Sequence, residues 1–266
     1  MRSADFFEIH QRQQNTHRRH GLPVKCSDGI QTISEKCIGV VMENIKEVEL
    51  SKLLPFPDHP FRVLEDESMR EMAESIRKYG VLMPLVVRPV EEGQYEIISG
   101  HRRKYACEMI RMETVPVIVR ELDRDASIIM MVDSNLQREN ILPSERAAAY
   151  KMKLEAIKRQ GQRNDLTSVQ VGQKLDGKTS REVIAENSPD SSTQIQRYIR
   201  LTELSPELQQ MVDEKKIAMT PAVEISYLKP EEQKLLVETI ESEQATPSLS
   251  QAKRMKQMSR EWEQYL

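Results

Sequence analysis

The sequence predicts an α+β protein, in which a small α/β domain is followed by an all-α domain. Two observations predict this class. The longest apolar stretches, Val81–Val87 and Val115–Val119, have the length of buried strands. After Asp123 the apolar residues recur at helical spacing almost throughout. We therefore expect a weakly structured tail at residues 1–44, the α/β domain at 45–122, the helical domain at 123–244 and a C-terminal amphipathic helix or tail at 245–266.

Composition favours a helix-rich protein with two small cores. Of the 266 residues, 38% are hydrophobic, 30% are charged and only 5% are aromatic. No apolar run approaches the roughly 20 residues of a membrane span, and the first residues lack a signal-peptide pattern, so we expect a cytoplasmic protein without a membrane partner. The three cysteines, Cys26, Cys37 and Cys107, have no metal-ligand spacing, which argues against disulfides and zinc.

The elements of the α/β domain follow from local patterns. Met69, Met72, Ala73 and Ile76 recur at helical spacing, and Gly80 ends that helix. Three strands are predicted after it, at Pro84–Val90, Tyr95–Ser99 and Thr114–Arg120. A second helix, at about Arg102–Ile110, lies between the last two strands.

The second half reads as consecutive helices. Helices are predicted at Arg124–Asn135, after Pro143, from Pro206 and from Pro230, and Met255, Met258, Trp262 and Leu266 share one face of a last helix. The net charge of −3 argues mildly against indiscriminate coating of nucleic acid, but charge is uneven. From Pro143 to Arg163 there are six Lys or Arg against two Glu.

Two short helices form a predicted helix-turn-helix at about residues 181–201. Helices at Arg181–Asn187 and from Ser192 to about Leu201 flank a turn in which Ser191 is a ready N-cap. The candidate DNA-binding residues on the second helix are Ser192, Thr193, Gln194, Gln196, Arg197 and Arg200. Gln and Arg make two-point hydrogen bonds to base edges, and Ser and Thr suit phosphates. A helical hairpin with a solvated polar face is the open alternative.

A second candidate site is the turn Ser99-Gly100-His101-Arg102-Arg103 between a strand and a helix. Glycine lets the backbone approach an anion, and the helix N-terminus and arginines supply donors and charge. A surface turn with solvated arginines would look the same. About thirty residues later, Asn135 and Glu139 could ligate Mg²⁺ or bind a ligand, or simply cap a helix.

Four segments in order resemble the ParB family of partition proteins. LLPFPDHPFR, with MREMAESIRKYGVLMPLVVRP after it, is similar to the family's opening box. ISGHRRKYACEMI is similar to its Gly-Glu-Arg-Arg box, and SNLQRENILPSERAAAYK to its Glu-Asn-x-Gln-Arg box. The helix-turn-helix follows in place. The resemblance runs from about Val48 to Leu204 and implies a ParB/sulfiredoxin-like fold for the first domain.

The resemblance implies a function that the residues alone do not. A protein of this family binds a centromere-like site on double-stranded DNA, and CTP with Mg²⁺ closes its homodimer into a sliding clamp. It acts in chromosome or plasmid partition with a Walker-type ATPase, which makes it nucleoid-associated. The implied nucleotide-binding residues are Arg62, Ser99, Gly100, His101, Arg102, Arg103, Asn135, Arg138 and Glu139, with Asn135 near the metal.

Three departures from the family pattern limit these implications. His101 and Ser134 stand where the family has glutamates, so we expect at most a weak CTPase and assign no catalytic residue. The segment after Ala245 is shorter than the family's C-terminal dimerisation domain, which leaves dimerisation open.

Other functions remain as alternatives. Sulfiredoxin is set aside because Gly100 stands where its catalytic cysteine would be, and a free-amino-acid kinase would not need residues 165–204. A metal-dependent nuclease would rely on His101, Asp133 and Glu139. A helix-turn-helix transcription regulator without nucleotide switching is the nearest rival.

Overall fold

The first half of the molecule is a five-stranded sheet with helices on both faces. The computed structural model describes residues 45–91, 93–138, 140–166 and 179–263. Its elements up to residue 119 are, in chain order, β1 (Ile45–Glu49), a 3-10 turn (Leu50–Lys52), β2 (Leu53–Leu54), α1 (Glu67–Tyr79), β3 (Leu85–Pro89), β4 (Tyr95–Ser99), α2 (His101–Met109) and β5 (Thr114–Val119). The strand order across the sheet is β1-β5-β3-β4-β2.

The sheet is mixed, and its two faces belong to different cores. β3 is antiparallel to β4 and parallel to β5, while β1 and β2 pair with β5 and β4 at the edges. Ile97 of β4 packs with residues of α1 and α2, whereas its neighbour Ile98 packs with the helix that follows β5. Successive side chains of a strand point to opposite faces, so β4 holds both layers together.

The sequence analysis did not predict β1 and β2. In β1 only Val48 is buried, and β2 has two residues, of which only Leu53 is buried. Segments this short or this exposed carry no periodic pattern of apolar residues. They become strands because they pair with β5 and β4.

All the secondary-structure elements described in the second half are helices, which together with the sheet confirms the predicted α+β class. The helices are α3 (Arg124–Leu136), α4 (Pro143–Leu166), α5 (Ser180–Glu186), α6 (Ser192–Leu201), α7 (Pro206–Asp213), α8 (Met219–Ile225), α9 (Pro230–Glu243) and α10 (Leu249–Glu263). Proline opens α7 and α9 as predicted, since its missing N–H costs nothing at a first helical position.

The described residues between 45 and 263 form one compact unit, in which α3 and α4 connect the sheet to the later helices. The ammonium of Lys153 on α4 is almost fully buried and pairs with Asp133 on α3. The backbone N–H of Ser144 donates to Asp213 on α7 at 2.9 Å. The predicted domain boundaries near residues 122 and 244 thus lie between elements that pack on one another. The division into domains therefore stays a prediction.

The last helix differs in detail from its prediction. Ala252 is fully buried and Met255 packs on the helical core, whereas Met258 is 50% exposed. The side chain of Trp262 and residue Leu266 lie outside the described part of the chain. No helix in that part is both long and apolar enough to cross a bilayer.

Candidate functional site

The turn at Gly100 joins the end of β4 directly to the start of α2. Gly100 is the N-cap residue, with φ 113° and ψ 19°, in the left-handed region that favours glycine. A Cβ at this position would lie 2.8 Å from Cγ of Leu85. The first N–H groups of a helix have no helical acceptor, and they are therefore available to an anion here. The half-buried Ser99 precedes the turn.

Arginines of α2 extend from this turn toward two neighbouring segments. Arg102 donates from Nη2 to Ser68 Oγ and lies 3.4 Å from Asp66, at the N-terminus of α1. Its Nε is buried and has no partner among the described residues. Arg103 donates to the carbonyl oxygen of Pro84 at 2.7 Å, and burial lowers its pKa. Both side chains are thereby held in place beside the turn.

The end of α3 brings a third arginine to the same place. Although Arg138 as a residue is exposed, desolvation of its guanidinium, followed by the charges of Arg102 and Arg103, lowers its pKa. The carboxylate of Glu145 opposes this shift. Arg102 and Arg103 thus lie beside the Gly100 turn, and Arg138 is close enough for their charges to act on it; like charges gathered in this way favour a polyanion. The buried Nε of Arg102 could donate to a phosphate oxygen, and the absence of a side chain at Gly100 lets a phosphate approach the backbone.

Two other predicted residues lie near this cluster with different roles. The side chain of Arg62 is exposed, and its backbone N–H donates to Glu145 at 2.8 Å. Asn135 is buried, and its amide donates to the carbonyl oxygen of Met131 at 2.8 Å. Asn135 thus closes the last turn of α3. Glu139 lies outside the described residues.

The residues around Asn135 offer little to a free metal ion. Within the described ranges, no three His, Cys, Asp or Glu side chains are grouped so that they could hold one. Asp133, which a nuclease would need, is paired with the buried Lys153. Mg²⁺ in nucleotide sites is often held by one or two protein groups and by the phosphates. Asn135 as such a ligand stays a prediction.

A pair of histidines beside the turn was missed by the sequence analysis. The ring centroids of His59 and His101 are 3.8 Å apart. Nδ1 of His59 lies 2.8 Å from the carbonyl oxygen of Phe61, and Nε2 of His101 is 3.4 Å from the backbone N–H of Phe56. These partners require a proton on Nδ1 of His59 and none on Nε2 of His101. The two residues are 42 positions apart, and no local pattern connects them.

The histidine pair makes the stability of the fold depend on pH. Burial, followed by the charges of His59, Arg138 and Lys104, lowers the pKa of His101 from 6.5 to about 3. The unfolded chain therefore binds a proton that the folded chain rejects, and stability falls as pH decreases below about 6.5. We expect His101 to lower the free energy of unfolding by up to about 1.4 kcal/mol for each pH unit of acidification in this range.

Urea unfolding of the wild type and of His101→Gln, measured at several pH values from neutral to mildly acidic, checks this expectation. Glutamine keeps an acceptor for the N–H of Phe56 but does not titrate, so the variant should lose less stability on acidification. Parallel pH profiles of the two proteins would contradict it.

The helix-turn-helix is present and its turn is fastened to α4. Thr179 and Glu182 form a capping box at the start of α5, and Ser191 caps α6. The hydroxyl of Tyr150 donates to Asp190 at 2.6 Å, and Arg146 pairs with the same carboxylate at 3.0 Å. This partly buried pairing was not predicted, and it restrains the direction in which α6 leaves the turn.

The predicted outward residues of α6 divide into two groups. Thr193, Gln196 and Arg197 are exposed, whereas Ser192 and Gln194 are half-buried. Gln194 donates to the sulfur of Met219 at 3.7 Å. Arg200 is tied to Ser226, donating to its carbonyl oxygen at 2.7 Å. Gln196 and Arg197 are therefore the side chains best placed to reach base edges.

Two family models match most of the chain. A model described as the ParB N-terminal domain matches residues 35–136, and one described as the ParB HTH domain matches residues 165–261. Stage 0 sporulation protein J of Bacillus subtilis is 33% identical over 177 residues, which is 66% of this chain and 55% of that protein. A nucleoid occlusion protein of Listeria monocytogenes serotype 4a is 31% identical over 217 residues, 81% of this chain and 67% of that protein.

One solved structure agrees on the fold, and another is similar in sequence. The N-terminal domain of a pNOB8-like ParB superposes with a TM-score of 0.50 at 17% identity, covering 84% of this chain and 96% of that chain, which shows the fold alone. A C-terminally truncated ParB of Caulobacter crescentus complexed with CTP-γ-S has 28% identity and a TM-score of 0.34, covering 74% of this chain and 98% of that chain. The chain spans 55–67% of the length of the two relatives named above.

Proposed function

The chain belongs to the ParB family, and on that premise we propose that it binds a specific site on double-stranded DNA and acts in chromosome or plasmid partition. The observation that carries this proposal is the exposed pair Gln196 and Arg197 on α6. Their direction is set by the contacts of Asp190 with Tyr150 and Arg146. A rigidly directed helix with these side chains suits the major groove.

The proposal includes a nucleotide switch in the first domain. The Gly100 turn, Arg102, Arg103 and Arg138 would hold the triphosphate of CTP, and Mg²⁺ would neutralise part of its charge. The arginines gathered at the turn and the unpartnered Nε of Arg102 support this assignment. Occupation of the site would favour closure of a homodimer around DNA. A Walker-type ATPase is the proposed partner, and the nucleoid the proposed location.

Hydrolysis of the nucleotide is proposed to be weak at most. His101 occupies a position where the family has a glutamate, and its ring is held between His59 and Phe56 as a neutral acceptor. Ser134 donates its hydroxyl to the carbonyl oxygen of Met131 at 2.9 Å. Neither side chain supplies a carboxylate base for an attacking water.

The histidine pair also favours one alternative, a helix-turn-helix regulator without a nucleotide switch. The rings of His59 and His101, which are in contact at an interplanar angle of 43°, occupy space beside the Gly100 turn. Calorimetric titration with CTP, ATP and GTP, each with Mg²⁺, separates the two functions. Selective binding of CTP supports the switch. If none of the three nucleotides binds, with or without target DNA, the chain would be a helix-turn-helix regulator without a nucleotide switch.

Within the DNA site, we expect Arg197→Ala to weaken binding to the target duplex more than to a random duplex. Arg197 is exposed and makes no ion pair within the described residues, so its guanidinium is available to a guanine edge. Loss of such a contact costs roughly 1–3 kcal/mol of specific binding. Fluorescence anisotropy with both duplexes at equal salt measures the difference.

The matched control is Arg254→Ala, which removes an equally exposed arginine from α10. It should leave the ratio of specific to random affinity unchanged. An equal loss on both duplexes in Arg197→Ala would reassign Arg197 to the phosphate backbone.

A further inference from the structure

Basic side chains gather around an exposed tyrosine that follows α8. The Tyr227 ring is 38% exposed. Nζ of Lys256 lies 3.6 Å from its centroid, Cζ of Arg200 lies 4.1 Å away, and Cζ of Arg260 lies 5.6 Å away. Each of these distances is within the range of a cation–π interaction. The ring therefore holds cations from α6 and α10 side by side.

Two surface grooves lie near this ring: Tyr227 lines the first, and Lys256 and Arg260, whose cations lie over the ring, line the second. One, of about 340 Å³, follows the outward stripe of α6 through Thr193, Arg197 and Arg200 to Tyr227. The other, of about 400 Å³, lies along α10 and is lined by Lys253, Lys256 and Arg260 together with Glu224 and Glu261. The basic surface of α10 thus continues the surface of the proposed recognition helix.

The acidic neighbours cancel only part of this charge. Glu224 pairs with Lys256 at 2.7 Å, and Glu203 pairs with Lys151 at 3.3 Å. Lys253 and Arg260 form no ion pair within the described part of the chain. Like charges placed close together repel each other, and a bound polyanion removes that cost.

We propose that Tyr227, Lys253, Lys256 and Arg260, the Tyr227 strip, contact the phosphate backbone of DNA beside the groove that α6 enters. The inference rests on the proposed function, because α6 must lie in the major groove for the strip to meet the flanking phosphates. The strip adds affinity without reading sequence, since phosphates carry no direct sequence information. Tyr227 positions the cations, and Arg197 reads the bases.

The test is the salt dependence of DNA binding by the full chain. Lys253→Ala combined with Arg260→Ala removes two phosphate contacts and breaks no ion pair of the described residues. The slope of log affinity against log salt should fall by about 1.8, since each contact contributes about 0.9. The loss of DNA affinity should be equal for a mixed-sequence duplex and for the target duplex. Tyr227→Leu should also weaken both, and Tyr227→Phe, which keeps the ring, should not.

The matched control is Lys234→Ala combined with Arg254→Ala, which removes the same charge from exposed positions outside the strip. A wild-type slope in the strip variant, or an equal change in the control, would overturn the strip while DNA binding by α6 stands. A wild-type chain that binds neither duplex would overturn the proposed function and the strip together.

Discussion

Arg102→Ala is expected to lower the affinity for CTP by about 30-fold or more while initial DNA binding stays intact. The guanidinium is held beside the Gly100 turn by Ser68 and Asp66, and its Nε is buried without a partner among the described residues. Removing one member of a desolvated charge pair costs about 2–5 kcal/mol, and each 1.4 kcal/mol is a factor of about ten. Calorimetric titration of both proteins with CTP and Mg²⁺ measures the effect.

Two controls separate the loss of phosphate contacts from a loss of structure. Ser68→Ala removes one of the two groups that hold Arg102 and keeps its charge, so it should lower CTP affinity less than Arg102→Ala does. Arg70→Ala removes an exposed arginine from the same region of α1. Unchanged CTP affinity in Arg102→Ala would exclude the turn from the nucleotide site.

Gly100→Ala is expected to destabilise the fold by about 2–5 kcal/mol. A non-glycine residue in a left-handed conformation costs about 1–2 kcal/mol. The new Cβ would also lie 2.8 Å from Cγ of Leu85, a fully buried side chain that has no space to move. Overpacking of this kind adds about 1–3 kcal/mol. Urea unfolding monitored by circular dichroism measures the change in the free energy of unfolding.

Gly93→Ala is the matched control for the backbone part of that cost. Gly93 also has a positive φ, 78°, but nothing lies within 4 Å of a Cβ placed there. It should cost only about 1–2 kcal/mol. Equal destabilisation by the two variants would show that the contact with Leu85 contributes nothing.

The sequence predicted local elements well where one segment carries its own signal. The spacing of Met69, Ala73 and Ile76 predicted α1, and all three are buried in its core-facing side. Ser191 and Pro206 marked the starts of α6 and α7 because caps and first-turn prolines act within one turn of helix. The turn at Gly100 was visible as a candidate site because its glycine and arginines are adjacent in the chain.

Relations between distant segments were not visible in the sequence. Arg200 is a residue type that can bind base edges, and the sequence predicted that it faces outward. In the structure it contacts Ser226 and Tyr227 instead, because α8 packs against α6. Met258 fits an amphipathic stripe, but the neighbouring helices bury Ala252 instead. The helical spacing of a residue predicts which face of its helix it lies on, but not which later helix will pack over that face.

The sequence by itself determined the α+β class, the order of the motifs and the family resemblance, because these depend on residues close together in the chain. Only the tertiary structure decided which side chains share a site. It brings the rings of His59 and His101 into contact, joins Asp190 to Tyr150 by a hydrogen bond and places cations over Tyr227. Each of these contacts joins residues tens of positions apart, and their approach depends on how the sheet and helices pack, not on the local pattern of either segment.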